Sequence, residues 1–118
     1  MSTLRKSADT FHQRVRWGDL RGAAELIVPE RRDAFLDATL ERNDARDLKV
    51  TDYELEDARL SADGKSATVV SRLSWHRLPS VTQEEEQVTS RFVRRDETWL
   101  LVQQKRGPFV KELDVSGE

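Results

Sequence analysis

The chain has 118 residues, a net charge of −2 from 20 basic and 22 acidic side chains, and no cysteine. That length suits one domain, spanning 1–118, and a chain of this size buries roughly two-thirds of its unfolded surface without help from a disulfide or metal. The missing cysteines exclude disulfides, thiolate metal sites and a cysteine nucleophile, and interspersed charges of both signs exclude a polyanion-binding field, so no nucleic-acid partner is expected.

Charged residues make up 36% of the chain, but the patterned apolar segments argue against disorder. No apolar run is long enough for a transmembrane helix, and no signal-peptide core is visible. Met1-Ser-Thr reads equally as a native start or as the scar of a removed export signal. A cytoplasmic protein and an exported or lipid-anchored domain are therefore both compatible with the sequence.

Leu4, Ala8, Phe11 and Val15 make one stripe of an amphipathic helix. Trp17-Gly18-Asp19 breaks it: Gly18 suits a left-handed helix end, and Asp19 suits the cap of a second helix carrying Leu20, Ala23, Ala24 and Ile27. Pro29 opens a third helix, with Glu30 and Asp33 favourable near its N-terminus. Ala34, Phe35, Leu36, Ala38 and Thr39 are expected to face inward, with Leu40 extending that face, and Asn43-Asp44 ends the helix.

Leu48 to Ser61 reads as a strand whose apolar parity changes, so a β-bulge or strong bend is expected near Glu56-Asp57. Ala62-Asp63-Gly64-Lys65 is a hairpin turn with Gly64 at the position needing positive φ. From Ser66 to Leu78, Ala67, Val69, Leu73 and Trp75 share one face, a row that Ser71 interrupts. Gln83 to Arg95 repeats the alternation, with a polar first half expected to project past the core or to lie over solvent. A turn at Arg95-Asp-Glu-Thr98 leads to a last strand, Trp99 to Lys105, covered on both faces. Gly107-Pro108 stops it. The tail from Phe109 to Glu118 is expected to be loosely attached, leaving a core of about 7–106.

Helices followed by an antiparallel run imply an α+β fold, with N-terminal helices packed on a curved sheet of at least four strands. Phe11, Trp17-Gly18-Asp19-Leu20 and Ala23-Ala24 resemble the opening of the nuclear transport factor 2-like (cystatin-like, SnoaL-like) superfamily. So do Asp63-Gly64, Ala67-Thr68-Val69 to Trp75, and Phe92-Val93-Arg94-Arg95-Asp96 leading to Trp99-Leu100-Leu101. The resemblance implies a cone: a bent sheet around a helix and an apolar pocket, commonly dimerised through the sheet. It also implies a choice between binding or scaffold domains and enzymes of the isomerase or dehydratase kind, since fold carries little weight for chemistry.

Within such a cone, Phe11, Tyr53, Trp75, Phe92 and Trp99 are the candidate ligand-binding residues, although large aromatics equally serve as plain core. His12, about 100° round the helix from Phe11, reads as an exposed or boundary residue, with a pocket base as the alternative. His76 reads as a sheet-surface residue. Two distant histidines and no cysteine leave no expected metal site, and no cofactor is expected. Asp52, Glu54 and Glu56 on one strand face, and Glu84 to Glu86, read as solvated faces rather than an acid–base pair. No G-x-S-x-G elbow or glycine-rich phosphate loop is present. Arg91, Arg94, Arg95, Lys105 and Arg106 read as salt-bridged sheet surface. The expected function is non-enzymatic: binding of a small apolar ligand or a protein partner, as a homodimer. The alternative is an isomerase or dehydratase using Tyr53 and His12.

Overall fold

The computed structural model describes residues 3–113. Three helices lead the chain: α1 (Leu4–Arg16), α2 (Leu20–Ala24) and α3 (Pro29–Glu41). Thr3 caps α1 by accepting the Lys6 N–H, and the Leu4 stripe turns Ala8, Phe11 and Val15 inward. The break after α1 follows from its residues: Gly18 takes φ +77°, and a Cβ there would meet the Ala45 carbonyl oxygen at 2.8 Å. Asp19 then caps α2 through the Gly22 N–H at 2.9 Å.

A short helix absent from the sequence expectation, α4 (Asp44–Asp47), follows Asn43, which adopts the left-handed conformation. The expected end of α3 at Asn43-Asp44 is therefore also the start of a new turn. Leu40, expected inward, is 77% exposed, and Ala34 is also exposed. Phe35 and Thr39, four apart, form the buried row of α3, and Leu36 and Leu40 lie on the next row round the helix.

The four strands β1 (Leu48–Leu60), β2 (Ser66–Arg77), β3 (Glu84–Arg95) and β4 (Thr98–Lys105) form one antiparallel sheet in the order β1-β2-β3-β4. The expected bulge in β1 lies between Leu55 and Asp57, and a second lies between Val50 and Asp52. These two breaks bend β1 and keep Val50, Tyr53, Leu55 and Ala58 on the side that carries Trp75, Leu73, Ser71 and Val69 of β2. Gly64 turns the first hairpin at φ +71°. At the last hairpin Asp96 and Glu97 both adopt positive φ. The outer edge of β4 is occupied: Leu101 bridges to Ile27, its N–H donates to the Leu26 carbonyl, and its carbonyl accepts the Val28 N–H.

The core lies between the inner sheet face and the helices, and Phe11, Phe35, Phe92 and Phe109 fill it. Phe35 and Phe109 meet edge-on at 5.1 Å, and Phe11 lies 6.1 and 6.3 Å from them. Phe109 corrects the expectation for the tail. It is 1% exposed, and Leu113 on the one-turn helix α5 (Val110–Leu113) is fully buried. The attachment is ionic as well as apolar. Arg42 donates to Glu112 at 2.6 and 3.2 Å, and Arg77 donates to the Pro108 carbonyl at 2.8 Å. The remainder of the expected loose tail, 114–118, lies outside the described residues.

Candidate functional site

Trp75 pairs with Glu84 at the start of β3, and Trp99 pairs with Arg94 near its end. Ten residues of strand separate those two points, roughly 33 Å. The five candidate ligand residues therefore do not converge. Phe11 and Phe92 are fully buried, Trp75 and Trp99 are buried at opposite ends of the sheet, and only Tyr53 reaches a surface concavity.

That concavity is a polar cleft of about 500 Å³ between α1 and β1, lined by Arg5, Asp9, His12, Gln13, Arg16, Tyr53, Glu54 and Leu55. Tyr53 Oη donates to Asp9 Oδ1 at 3.0 Å, and the His12 ring stacks on the Tyr53 ring with centroids 4.4 Å apart. His12 corrects its expected exposure: it is buried, because the bent sheet carries β1 over the flank of α1. Its Nδ1 donates to the Ala8 carbonyl at 2.9 Å, so Nε2 is the acceptor and turns towards the Gln104 amide nitrogen at 3.4 Å. Gln104 Nε2 also donates to Ser90 Oγ at 3.0 Å. Behind the cleft, Ser71, Ser90 and Gln104 form a polar seam on the inner sheet face. Ser71 was visible as the interruption of an apolar row, whereas Gln104 carried no such signal.

Burial pushes the His12 imidazole down to about 4, against the opposing pull of the Ala8 carbonyl and Asp9. Burial, reinforced by Asp9, raises the Tyr53 phenol well above its usual value. Both shifts favour the neutral form that each group already has at neutral pH. The lone pair of His12 Nε2 faces the Gln104 amide in the interior, so the ring offers no acceptor to the cleft. His12 gives a stability prediction instead. A group whose folded pKa lies below its unfolded value is stable above the unfolded pKa and loses stability as pH falls, here between about 6.5 and 4, by about 3 kcal/mol. Thermal unfolding from pH 7 to pH 4 should show that fall, and H12Q should show a shallower one. Parallel profiles would contradict the assignment.

The second concavity is more apolar. A groove of about 540 Å³ runs between α2, α3 and α4, where Leu20, Leu36, Leu40, Thr39 and Ala45 meet Gly18. Asp33 and Asp37 stand beside Leu36 and Leu40 on α3. Trp17, next to Gly18, is 82% exposed. No group of three or more metal-ligating side chains occurs among the described residues. Of the five basic residues expected to form a salt-bridged sheet surface, only Arg95 has an ion pair among the described residues, and its partner is Glu30 of α3, at 2.8 and 2.9 Å; Arg91, Arg94, Lys105 and Arg106 are unpaired there, which corrects that expectation. His76 is partly exposed and contacts Gln83.

No family model matches the chain, and no curated protein matches it. Solved structures do. A SEC-C motif containing protein from Rhodopseudomonas palustris is similar over 90% of this chain and 80% of its own, with a TM-score of 0.72 and 16% identity. An NTF-2 like protein of unknown function from Shewanella oneidensis MR-1 is similar over 86% of this chain and 93% of its own, with a TM-score of 0.65 and 14% identity. The fold is that of the nuclear transport factor 2-like, or cystatin-like, proteins. A Nostoc punctiforme protein with a cystatin-like fold extends the agreement, at a TM-score of 0.56 and 15% identity over 86% of this chain and 84% of its own. At such identities the NTF2-like likeness is one of architecture alone, so the chemistry must come from this chain's own residues. No described helix is long and apolar enough to cross a membrane.

Proposed function

We propose that this chain is a non-enzymatic binding domain that captures a segment of another protein in the groove between α2, α3 and α4. One observation carries the reading: the interior is filled by the chain's own aromatics, whereas Leu40 stands 77% exposed on the wall of an apolar groove. A filled interior favours a protein partner over the small apolar ligand in the cone. Exposed large apolar side chains grouped at a concavity mark interaction sites more than isolated ones do.

The partner's chemistry follows from the rim. Asp33 and Asp37, four apart, repel each other along α3 and form no ion pair among the described residues. An amphipathic helix with two apolar anchors and an adjacent lysine or arginine would fill the groove and relieve that repulsion. Titrating 15N-labelled protein with a Leu/Lys amphipathic helical peptide should shift Leu20, Leu36, Leu40 and Ala45 in a saturable way. L40E should weaken binding at least about tenfold. Equal binding by L40E would reject the groove.

The homodimer belongs to the same reading. Val93, Val70 and Val102 are half-buried and Leu100 is buried near one end of the outer sheet face, among Thr68, Thr89 and Arg91. Sedimentation of the same samples should show a dimer that V93K dissociates, and a monomer at every concentration would remove this part. The enzymatic alternative would rest on the Asp9–Tyr53 contact. It lacks a base poised near neutrality, because His12 faces inward.

A further inference from the structure

The chain treats the two edges of its sheet differently. At β4 the segment after α2 covers the edge, with Ile27 bridging to Leu101. β1 is hydrogen-bonded on one side only, to β2, and among the described residues no other backbone group bonds to residues 49–60. An open strand edge templates pairing with other chains, and folded proteins blunt it with bulges, caps and charges.

The first half of β1 carries such devices. Bulges lie between Val50 and Asp52 and between Leu55 and Asp57. Asp52 Oδ1 accepts the Tyr53 N–H at 3.0 Å, and α1 flanks the strand as far as Leu55. The devices stop there. Asp57, Ala58, Arg59 and Leu60 pair regularly with β2, and all four are exposed. The Ser61 N–H donates to the Ser66 carbonyl across the hairpin, so Ser61 and Arg59 aim their backbone groups at β2. By alternation, Ala58 and Leu60 aim theirs at the open edge.

We propose that residues 57–60 are a self-recognition edge, which pairs antiparallel with the same residues of a second copy about a two-fold axis at Ala58. In that register the two Ala58 residues exchange both backbone hydrogen bonds. Asp57 lies opposite Arg59 of the second copy, and Arg59 opposite its Asp57. These are the non-hydrogen-bonded positions, where side chains come closest. Within one chain Asp57 and Arg59 already meet at 2.9 Å on the outer face, so pairing joins two local ion pairs into a square of alternating charge. Leu60, 62% exposed, comes diagonally beside the second Ala58 and is partly withdrawn from water.

The charges also set the register. An axis at Asp57 would put aspartate opposite aspartate, and an axis at Arg59 arginine opposite arginine. A strand of one sign, or of none, gains less from this edge than a second copy does. The same two charges that deter foreign strands match the chain to itself. Four residues a side bury far less than the roughly 1,200 Å² of a stable interface, so the contact is weak, with a Kd on the order of a millimolar. It is separate from the outer sheet face, and either interface can fail without the other.

The test is run on the V93K protein, whose outer face is disabled. Sedimentation, amide shifts and hydrogen exchange are followed from micromolar to millimolar protein. Association should rise with concentration, with shifted and slowly exchanging amides at Ala58 and Leu60. R59D, at an exposed position, sets like charges opposite each other twice per pair and should raise Kd at least about tenfold. D57R combined with R59D reverses both charges and should bring Kd back to within about threefold of the parent. The proposal is overturned if Ala58 and Leu60 do not respond to concentration, if R59D associates like its parent, or if the double reversal does not recover. A V93K protein still dimeric at micromolar concentration would reject the outer-face dimer, while the response of Ala58 and Leu60 to R59D would still decide the edge.

Discussion

F109A should destabilise the protein by about 3–5 kcal/mol, the range for removing a buried phenylalanine ring from a core. Phe109 is 1% exposed and touches Phe11 and Phe35 at the centre of the aromatic cluster. Collapse around the vacancy is limited, because both neighbouring rings belong to different helices. Denaturant unfolding followed by tryptophan fluorescence reads the change. V110A, one residue on and 41% exposed, serves as the control and should change stability by less than about 1 kcal/mol. Equal, small effects of the two variants would mean that the segment after Gly107-Pro108 is only loosely attached.

D44A should cost about 3 kcal/mol. Asp44 has no exposed side-chain surface and accepts four hydrogen bonds: two from Arg42 at 2.8 and 3.1 Å and two from Arg77 at 2.8 and 3.0 Å. Arg42 also holds Glu112, so two cations and two anions balance in one cluster. Removing one partner of a buried pair costs about 3–5 kcal/mol, and the lower end applies because the two arginine side chains are 24% and 30% exposed. For a domain of this size that is a fall in Tm of roughly 10–15 °C. D44A should also loosen α5, since Arg42 and Arg77 are the groups that hold Glu112 and the Pro108 carbonyl. Hydrogen exchange at Leu113 would report this. A loss below about 1 kcal/mol with unchanged exchange would show that the cluster is not a structural anchor.

These two predictions concern the parts least visible in the sequence, and the reason is physical. The sheet was legible because it is local: period-2 alternation marks β2 and β3, Asp63-Gly64 marks the hairpin, and the parity break in β1 marks its bulge. The Asp44 cluster joins residues 33 and 70 positions apart, and no short-range pattern encodes such pairs. Phe109 and Leu113 lie in a charged stretch whose apolar spacing is too brief for a periodicity.

His12 was misplaced because a helical wheel carries no information about a sheet that bends over its flank. Leu40 was misplaced because six apolar or small residues, Ala34 to Leu36 and Ala38 to Leu40, crowd α3 and only the row of Phe35 and Thr39 fits the core. The candidate site was legible in one respect. Tyr53 and His12 were singled out separately, and the structure brings their rings into contact.

The most direct test of the account asks where apolar matter binds. 15N-labelled protein would be titrated in parallel with a Leu/Lys amphipathic helical peptide and with a small apolar probe such as benzene. A filled interior and an exterior groove predict peptide-induced shifts at Leu20, Leu36, Leu40 and Ala45, and no saturable benzene shifts at Phe11, Leu73 or Phe92. Saturable benzene binding at those three core residues, with the groove resonances unmoved by peptide, would contradict the account and restore the cone as the binding site.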